Sequence, residues 1–159
     1  MRVITAPDEE YSLENHHNFK IFLAGGITNC PNWQSEAIKL FYKEWGYKRT
    51  TLYNPRRPNF SFSKFAAEQQ VVWEYEHLKS ADAIVFWFAK GSVNPIVLYE
   101  LGRWGTTDKI ISIGCDPEYE RSEDVIIQTR LACPDVVVHS KLIDVIKHLL
   151  ISVYDKGLD

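Results

Sequence analysis

The amino-acid sequence predicts an α/β protein in which helices cover both faces of a parallel β-sheet. Short apolar segments of strand length alternate along the chain with longer segments that repeat apolar residues at helical spacing. Residues 83–88 are apolar at every position, which is typical of a strand buried on both faces. This alternation indicates right-handed crossover connections and therefore a three-layer sandwich.

Five strands are expected, at residues 20–24, 50–53, 82–88, 109–114 and 136–139. Parallel strands connected in this way most simply take the flavodoxin-like order 2-1-3-4-5. The whole chain, residues 1–159, is expected to form a single domain. Within it, residues 1–19 are polar and form either an extra strand, over residues 2–6, or a flap over the site.

Helices are expected at residues 33–45, 66–80, 95–104, 124–131 and 141–154. The first has an apolar face and ends at Gly46, a residue type that commonly terminates helices. The third begins with Pro95, whose missing N–H is harmless at that position, and Asn94 is expected to cap it. Residues 60–65 are expected to form a loop.

The composition limits the possible functions. A net charge of −3 without a basic stripe argues against duplex nucleic acid as a partner. The three cysteines lack a C-x-x-C motif, which argues against a disulfide framework and a zinc site and fits a reducing compartment. No secretory leader is recognisable, and no apolar run approaches the roughly 20 residues of a membrane span. We therefore expect a soluble, cytoplasmic protein with no membrane partner and no metal.

The predicted strand order brings two loops to one crevice. The order reverses between the first and third strands, and open α/β sheets bind ligands beyond the carboxyl ends of strands at such a point. The loop after the first strand carries Gly25 and Gly26, and the loop after the third leads to Asn94 and Glu100. Glu100 is a candidate nucleophile there, although an isolated helical glutamate is more commonly a surface residue.

Other residues allow both a structural and a functional interpretation. Gly25 and Gly26 form a tight turn or admit a ligand close to the backbone, and no dinucleotide or triphosphate motif surrounds them. Glu74 lies on a helix rich in aromatic residues. It is either an ordinary residue on the solvated face of that helix or a general acid whose pKa is raised by its apolar surroundings. Arg56 and Arg57 follow the second strand. They either belong to a solvated loop or bind a phosphate or a base of the ligand.

Four motifs in order resemble the nucleoside 2-deoxyribosyltransferase family and its relatives, the deoxynucleotide N-glycosidases. They are Ile-Phe-Leu-Ala-Gly-Gly-Ile at 21–27, Asn-Pro-Arg-Arg at 54–57, Trp-Glu at 73–74 with Asp82 eight residues beyond Glu74, and Tyr-Glu-Leu-Gly at 99–102. Each motif is weak alone, but four at this spacing are fairly specific. The resemblance runs from about residue 20 to residue 139.

The resemblance implies a double displacement at the anomeric carbon of a 2′-deoxynucleoside, without cofactor or metal. Glu100 matches the nucleophile, which forms a covalent deoxyribosyl-enzyme, and Glu74 matches the acid that protonates the departing base. An ionised Glu100 and a protonated Glu74 are expected, because two carboxylates in one cleft separate their pKa values. Substrate-binding residues are expected at Gly25, Gly26, Ile27, Asn54, Arg56, Arg57, Trp73, Ser92, Asn94 and Tyr99.

Two departures from the family pattern leave the substrate open. Glu74 replaces the commoner aspartate, and Asn94 stands where many transferases bind the sugar 5′-hydroxyl with an aspartate. An uncharged Asn94 does not repel a 5′-phosphate, so the expected substrate is either a nucleoside or a nucleotide, with a free nucleobase as acceptor. Base exchange, hydrolysis of the same glycosyl-enzyme and nucleotide binding without catalysis are the three functions to be distinguished. The resemblance also implies a homo-oligomer.

Overall fold

The computed structural model describes residues 1–8, 18–46, 49–58 and 63–157 of the chain. The elements in chain order are β1 (Arg2–Thr5), β2 (Phe19–Gly25), α1 (Trp33–Trp45), β3 (Thr50–Asn54), α2 (Lys64–Ser80), β4 (Ala83–Phe88), α3 (Pro95–Trp104), β5 (Ile110–Cys115), α4 (Ser122–Ala132), β6 (Val138–His139) and α5 (Leu142–Asp155).

The described strands form one parallel sheet of six strands in the order β1-β3-β2-β4-β5-β6. The predicted α/β class with a parallel sheet is confirmed, and the order of the five predicted strands is as expected. The predicted count of five is wrong, because β1 pairs with the outer edge of β3 and adds a sixth strand. This edge strand buries only Ile4, so its apolar signal in the sequence is weak.

The side chains of β4 divide between two hydrophobic cores, one on each face of the sheet. Val85 and Trp87 pack with residues of α1 and α5. Ile84 and Phe86 pack on the opposite face, with residues of α2 and α4 and with Val97 of α3. A strand buried on both faces in this way accounts for the uninterrupted apolar run in the sequence.

Several element boundaries differ from the predicted ones. Helix α2 begins at Lys64, since the hydroxyl of Ser63 accepts a hydrogen bond from the backbone N–H of Ala66. Phe65, predicted in a loop, is therefore helical, and residues 60–62 of that predicted loop lie outside the described residues. Residues 9–17 of the predicted flap also lie outside them.

The predicted cap of α3 is wrong in its chemistry. Pro95 is the first helical residue, as expected, but the side chain of Asn94 makes no capping hydrogen bond. Asn94 instead has a left-handed backbone, with φ of 50°, and its Nδ2 donates to the carbonyl oxygen of Ala89. The side chain is therefore directed away from the helix and toward the neighbouring loop.

The connections at β2 and β4 create a crevice at one end of the sheet. These two strands are neighbours, with Gly25 beside Trp87 in the register. The chain leaves β2 toward α1 on one face and leaves β4 toward α3 on the other. The two loops therefore diverge beyond the carboxyl ends of the strands, where open α/β sheets bind ligands. No helix in the described part of the chain is long and apolar enough to cross a bilayer.

Candidate active site

A cavity of about 330 Å³ lies at this point where the strand order reverses. The loops after β2, β3 and β4 contribute to its wall, together with the helices α2 and α3. The size is at the lower end of the range for small-molecule sites. Glu74 and Glu100 both line it, one from each helix.

The two carboxyl groups are mostly buried and interact electrostatically. Burial raises the pKa of Glu100 to about 8, and the negative charge of Glu74 adds to this increase. Burial also raises the pKa of Glu74, but a hydrogen bond from Gln70 and the positive charge of Arg57 oppose that increase. The cavity therefore favours a proton on Glu100 at neutral pH. This is the reverse of the expected division, because the groups that stabilise a carboxylate lie beside Glu74.

Six of the predicted substrate-binding residues line the same cavity, namely Gly25, Gly26, Ile27, Arg57, Ser92 and Asn94. Glycine is needed at positions 25 and 26 because a side chain there would clash with neighbouring residues. A Cβ atom on Gly25 would lie 2.3 Å from the ring of Trp33, and one on Gly26 would lie 2.1 Å from Oδ1 of Asn94. Of the described glycines, those with positive φ are Gly46, Gly91 and Gly157, so a left-handed turn does not explain the pair.

Asn94 lies in the cavity wall, where its side chain is close to Gly26 of the loop after β2. The side chain is 4% exposed and its Oδ1 has no hydrogen-bond partner among the described residues. Asparagine adopts a left-handed backbone more readily than most residues other than glycine, so the φ of Asn94 by itself does not mark a functional site. The unpaired amide oxygen of a cavity-lining residue is nevertheless suited to accept a hydrogen bond from a ligand.

Arg56 does not line the cavity, although the sequence predicts it as a substrate-binding residue. Its guanidinium donates to Oε1 of Gln34 at 2.8 Å, to the carbonyl oxygen of Pro31 at 2.9 Å and to that of Gly26 at 3.2 Å. These bonds hold the loop after β2 against the loop after β3. Arg56 therefore shapes the cavity wall from behind.

Asn54, Trp73 and Tyr99 also lie outside the cavity wall. Asn54 accepts a hydrogen bond from the backbone N–H of Arg56 and so stabilises the turn after β3. Trp73 is buried and stacks on His77, with 3.9 Å between ring centroids. Tyr99 is 69% exposed, because the helical rotation that directs Glu100 inward directs its neighbour outward.

Gln70 is a cavity residue that sequence reasoning missed. It precedes Glu74 by four positions, so both lie on one face of α2, and its Nε2 donates to Oε1 of Glu74 at 2.8 Å. That spacing was the signal available in the sequence.

The loop that carries Ser92 and Asn94 is held by the segment after β5. The buried Tyr119 donates its hydroxyl to the carbonyl oxygen of Val93 at 2.7 Å. Lys90 forms an ion pair with Glu118 at 2.6 Å. Within the described residues, no group of three or more His, Cys, Asp or Glu side chains is arranged to hold a metal ion.

A family model described as nucleoside 2-deoxyribosyltransferase like matches residues 18–119. Comparison with curated proteins gave no match. The matched segment includes every residue that lines the cavity, with both carboxyl groups. Because the match covers well over half of the sequence, the chain belongs to the nucleoside 2-deoxyribosyltransferase-like family.

Proposed function

We propose that the protein exchanges the base of 2′-deoxynucleosides through a covalent deoxyribosyl-enzyme. The observation that carries this proposal is the pair of interacting carboxyl groups, Glu74 and Glu100, in one largely apolar cavity. A strongly raised pKa beside a second acid in a cleft is typical of catalytic groups. Cleavage of a glycosidic bond with retention uses two carboxyl groups in this way.

In the first half of the reaction, a carboxylate oxygen of Glu100 bonds to C1′ of the sugar. The bond between C1′ and the base nitrogen breaks, and its electron pair leaves with the base, which takes a proton from Glu74. In the second half, a nitrogen of another base attacks C1′ and loses its proton to Glu74. As the new bond forms, the bond between C1′ and Glu100 breaks and its electron pair returns to the carboxylate, so both carboxyl groups are restored to their initial states.

The pair of carboxyl groups already holds the proton that this reaction needs, but on Glu100. The chemistry requires an ionised Glu100 and a protonated Glu74, whereas the cavity by itself favours the proton on Glu100. Moving the proton to Glu74 leaves the number of protons on the coupled pair unchanged. Hydrogen-bond donors of a bound sugar favour the ionised form of Glu100 and so assist this shift.

The sugar end of the substrate would bind near Asn94, with Ser92 and Arg57 in the same wall. Asn94 accepts from a sugar hydroxyl through its unpaired Oδ1. Because Asn94 is uncharged and Arg57 is cationic, this wall also tolerates a 5′-phosphate. That observation favours, as a second candidate function, hydrolysis of a deoxynucleoside 5′-monophosphate, in which water replaces the acceptor base.

The test is chromatography of purified protein with each 2′-deoxynucleoside and each 5′-monophosphate, with and without a second free base. A new deoxynucleoside that forms only with added base identifies the transferase. Free base released regardless of acceptor identifies the hydrolase. Absence of turnover with all of them would contradict both activities and favour a nucleotide-binding protein without catalysis.

The matched variants are Glu100→Ala and Glu76→Gln. Glu100→Ala is expected to reduce kcat by about 10⁴-fold or more, as loss of a catalytic nucleophile does. Glu76 is exposed on α2, two residues from Glu74, and its variant is expected to retain wild-type activity. A folded Glu100→Ala protein with wild-type turnover would show that the proposed nucleophile is wrong.

A further inference from the structure

Gln70 is held in one orientation by two acceptors. Its Nε2 donates to the carbonyl oxygen of Pro55 at 2.8 Å and to Oε1 of Glu74 at 2.8 Å. The carbonyl of Pro55 only accepts, so a flipped amide would bring two carbonyl oxygens together. The amide nitrogen therefore faces Pro55 and Glu74, and the amide oxygen faces elsewhere.

The amide oxygen of Gln70 is an unsatisfied acceptor. Gln70 is 9% exposed and lines the cavity. Its Oε1 has no hydrogen-bond partner among the described residues. Buried polar atoms are rarely left unpaired, and those that are unpaired call for an explanation in function or in bound ligand. A hydrogen-bond donor on a ligand in the cavity would satisfy this atom.

We infer that Gln70 selects nucleobases that carry an amino group beside the ring nitrogen protonated by Glu74. This inference rests on the proposed function, in which Glu74 is the acid that faces the base. Oε1 of Glu74 already accepts from Gln70, so the other carboxyl oxygen carries the proton toward the base. The base therefore meets a donor from Glu74 and, next to it, a fixed acceptor from Gln70.

This pair of groups complements the edge of an amino nucleobase. Adenine offers a ring-nitrogen acceptor beside its amino group, and cytosine also offers an amino donor. A base with an oxo group at the same place, such as hypoxanthine or uracil, would direct a second acceptor at Oε1 of Gln70. Two acceptors that face each other cannot form a hydrogen bond. The cost of leaving both atoms unpaired in a buried site disfavours binding of the oxo base.

The experiment compares kcat/KM for deoxyadenosine against deoxyinosine and for deoxycytidine against deoxyuridine, each also as the 5′-monophosphate. The wild type is expected to favour the amino member of the pair that it accepts by about 10- to 100-fold. In Gln70→Met, which keeps the volume but not the acceptor, that ratio is expected to fall to within about threefold. Gln128→Met, on an exposed position of α4, is the matched control and retains the wild-type ratio.

The outcomes separate this inference from the proposed function. Turnover without preference for the amino base, or with the same preference in Gln70→Met, overturns the inference and leaves the reaction intact. If no substrate is turned over, the proposed function fails. Binding of free adenine against hypoxanthine and of cytosine against uracil, measured by calorimetry on the wild type, then decides the role of Gln70. Equal affinities within both pairs overturn it.

Discussion

At the scale of single residues, Glu100 shows how burial of an ionisable carboxyl group lowers stability at alkaline pH. An unfolded glutamate loses its proton near pH 4.5, whereas folded Glu100 keeps it to about pH 8. Between these values the folded state binds more protons than the unfolded state, so the free energy of unfolding falls as pH rises. The contribution is fully present below pH 4.5 and is lost as the pH rises through about 8.

We predict that Glu100→Gln removes this pH dependence and stabilises the protein at alkaline pH. Glutamine keeps the shape of the protonated acid and cannot ionise, so no charge is forced into the cavity. One pKa unit corresponds to about 1.4 kcal/mol, so the variant should be more stable than the wild type by a few kcal/mol at pH 9. Urea unfolding at pH 5 and pH 9 measures the difference.

The control for this prediction is Glu76→Gln, which removes an exposed carboxyl group from the same face of the sheet. It is expected to unfold with the pH dependence of the wild type. A stability difference between Glu100→Gln and wild type that is equal at pH 5 and pH 9 would contradict the raised pKa of Glu100.

At the scale of helices and strands, the sequence predicted what depends on local patterns. Apolar runs and helical spacing located β2 to β6 and the five helices, with errors of about two residues at the ends. The topology brings Glu74 and Glu100 to one cavity, because the helices that carry them, α2 and α3, both contribute to its wall. The sequence does not decide whether residues 2–6 form a strand, because β1 is an edge strand in which only Ile4 is buried.

Contacts between distant segments explain why some of the predicted site residues lie outside the cavity wall. The sequence does not show that the guanidinium of Arg56 donates its hydrogen bonds to Gln34 and to carbonyl oxygens of the loop after β2. It also does not show how far α2 and α3 are rotated about their axes. That rotation buries Trp73 in the core, exposes Tyr99 and directs Gln70 to the cavity.

Tyr119 provides a prediction at this scale, because it links the segment after β5 to the loop after β4. Its hydroxyl bonds the carbonyl oxygen of Val93, one residue before Asn94. Tyr119→Phe is expected to lower stability by about 1 kcal/mol and to raise KM about 3- to 10-fold with little change in kcat. The reason is that the loop with the groups proposed to bind the sugar becomes less ordered, while Glu74 and Glu100 lie on the helices α2 and α3.

Steady-state kinetics and thermal unfolding test this role of Tyr119. Tyr154→Phe, which removes an exposed hydroxyl from α5, should change neither quantity. If Tyr119→Phe lowers the melting temperature but leaves KM at the wild-type value, then the hydroxyl stabilises the fold without positioning the loop.

At the scale of the whole molecule, α2 and α3 carry several large apolar side chains that are exposed. Exposed fractions between 36% and 69% are found for Val72, Tyr75, Ile96 and Tyr99. The ring centroids of Tyr75 and Trp104 are 6.3 Å apart. Ile96 also lines the cavity, so this apolar surface of α2 and α3 continues into the site. Extended exposed apolar patches commonly mark interfaces between proteins. We propose that two copies of the chain associate through this surface.

The corresponding prediction is that the double variant Val72→Lys and Tyr99→Lys dissociates this oligomer. Each lysine would have to bury an ammonium group in the interface, at a cost of several kcal/mol per charge. Sedimentation equilibrium should give a mass above that of one chain for the wild type and the mass of one chain for the variant. The matched control is Tyr154→Lys on α5, where Ile151 and Tyr154 are equally exposed. If the control dissociates the oligomer and the double variant does not, the interface lies on α5. In that case the cavity mouth would remain open to solvent in the assembled protein.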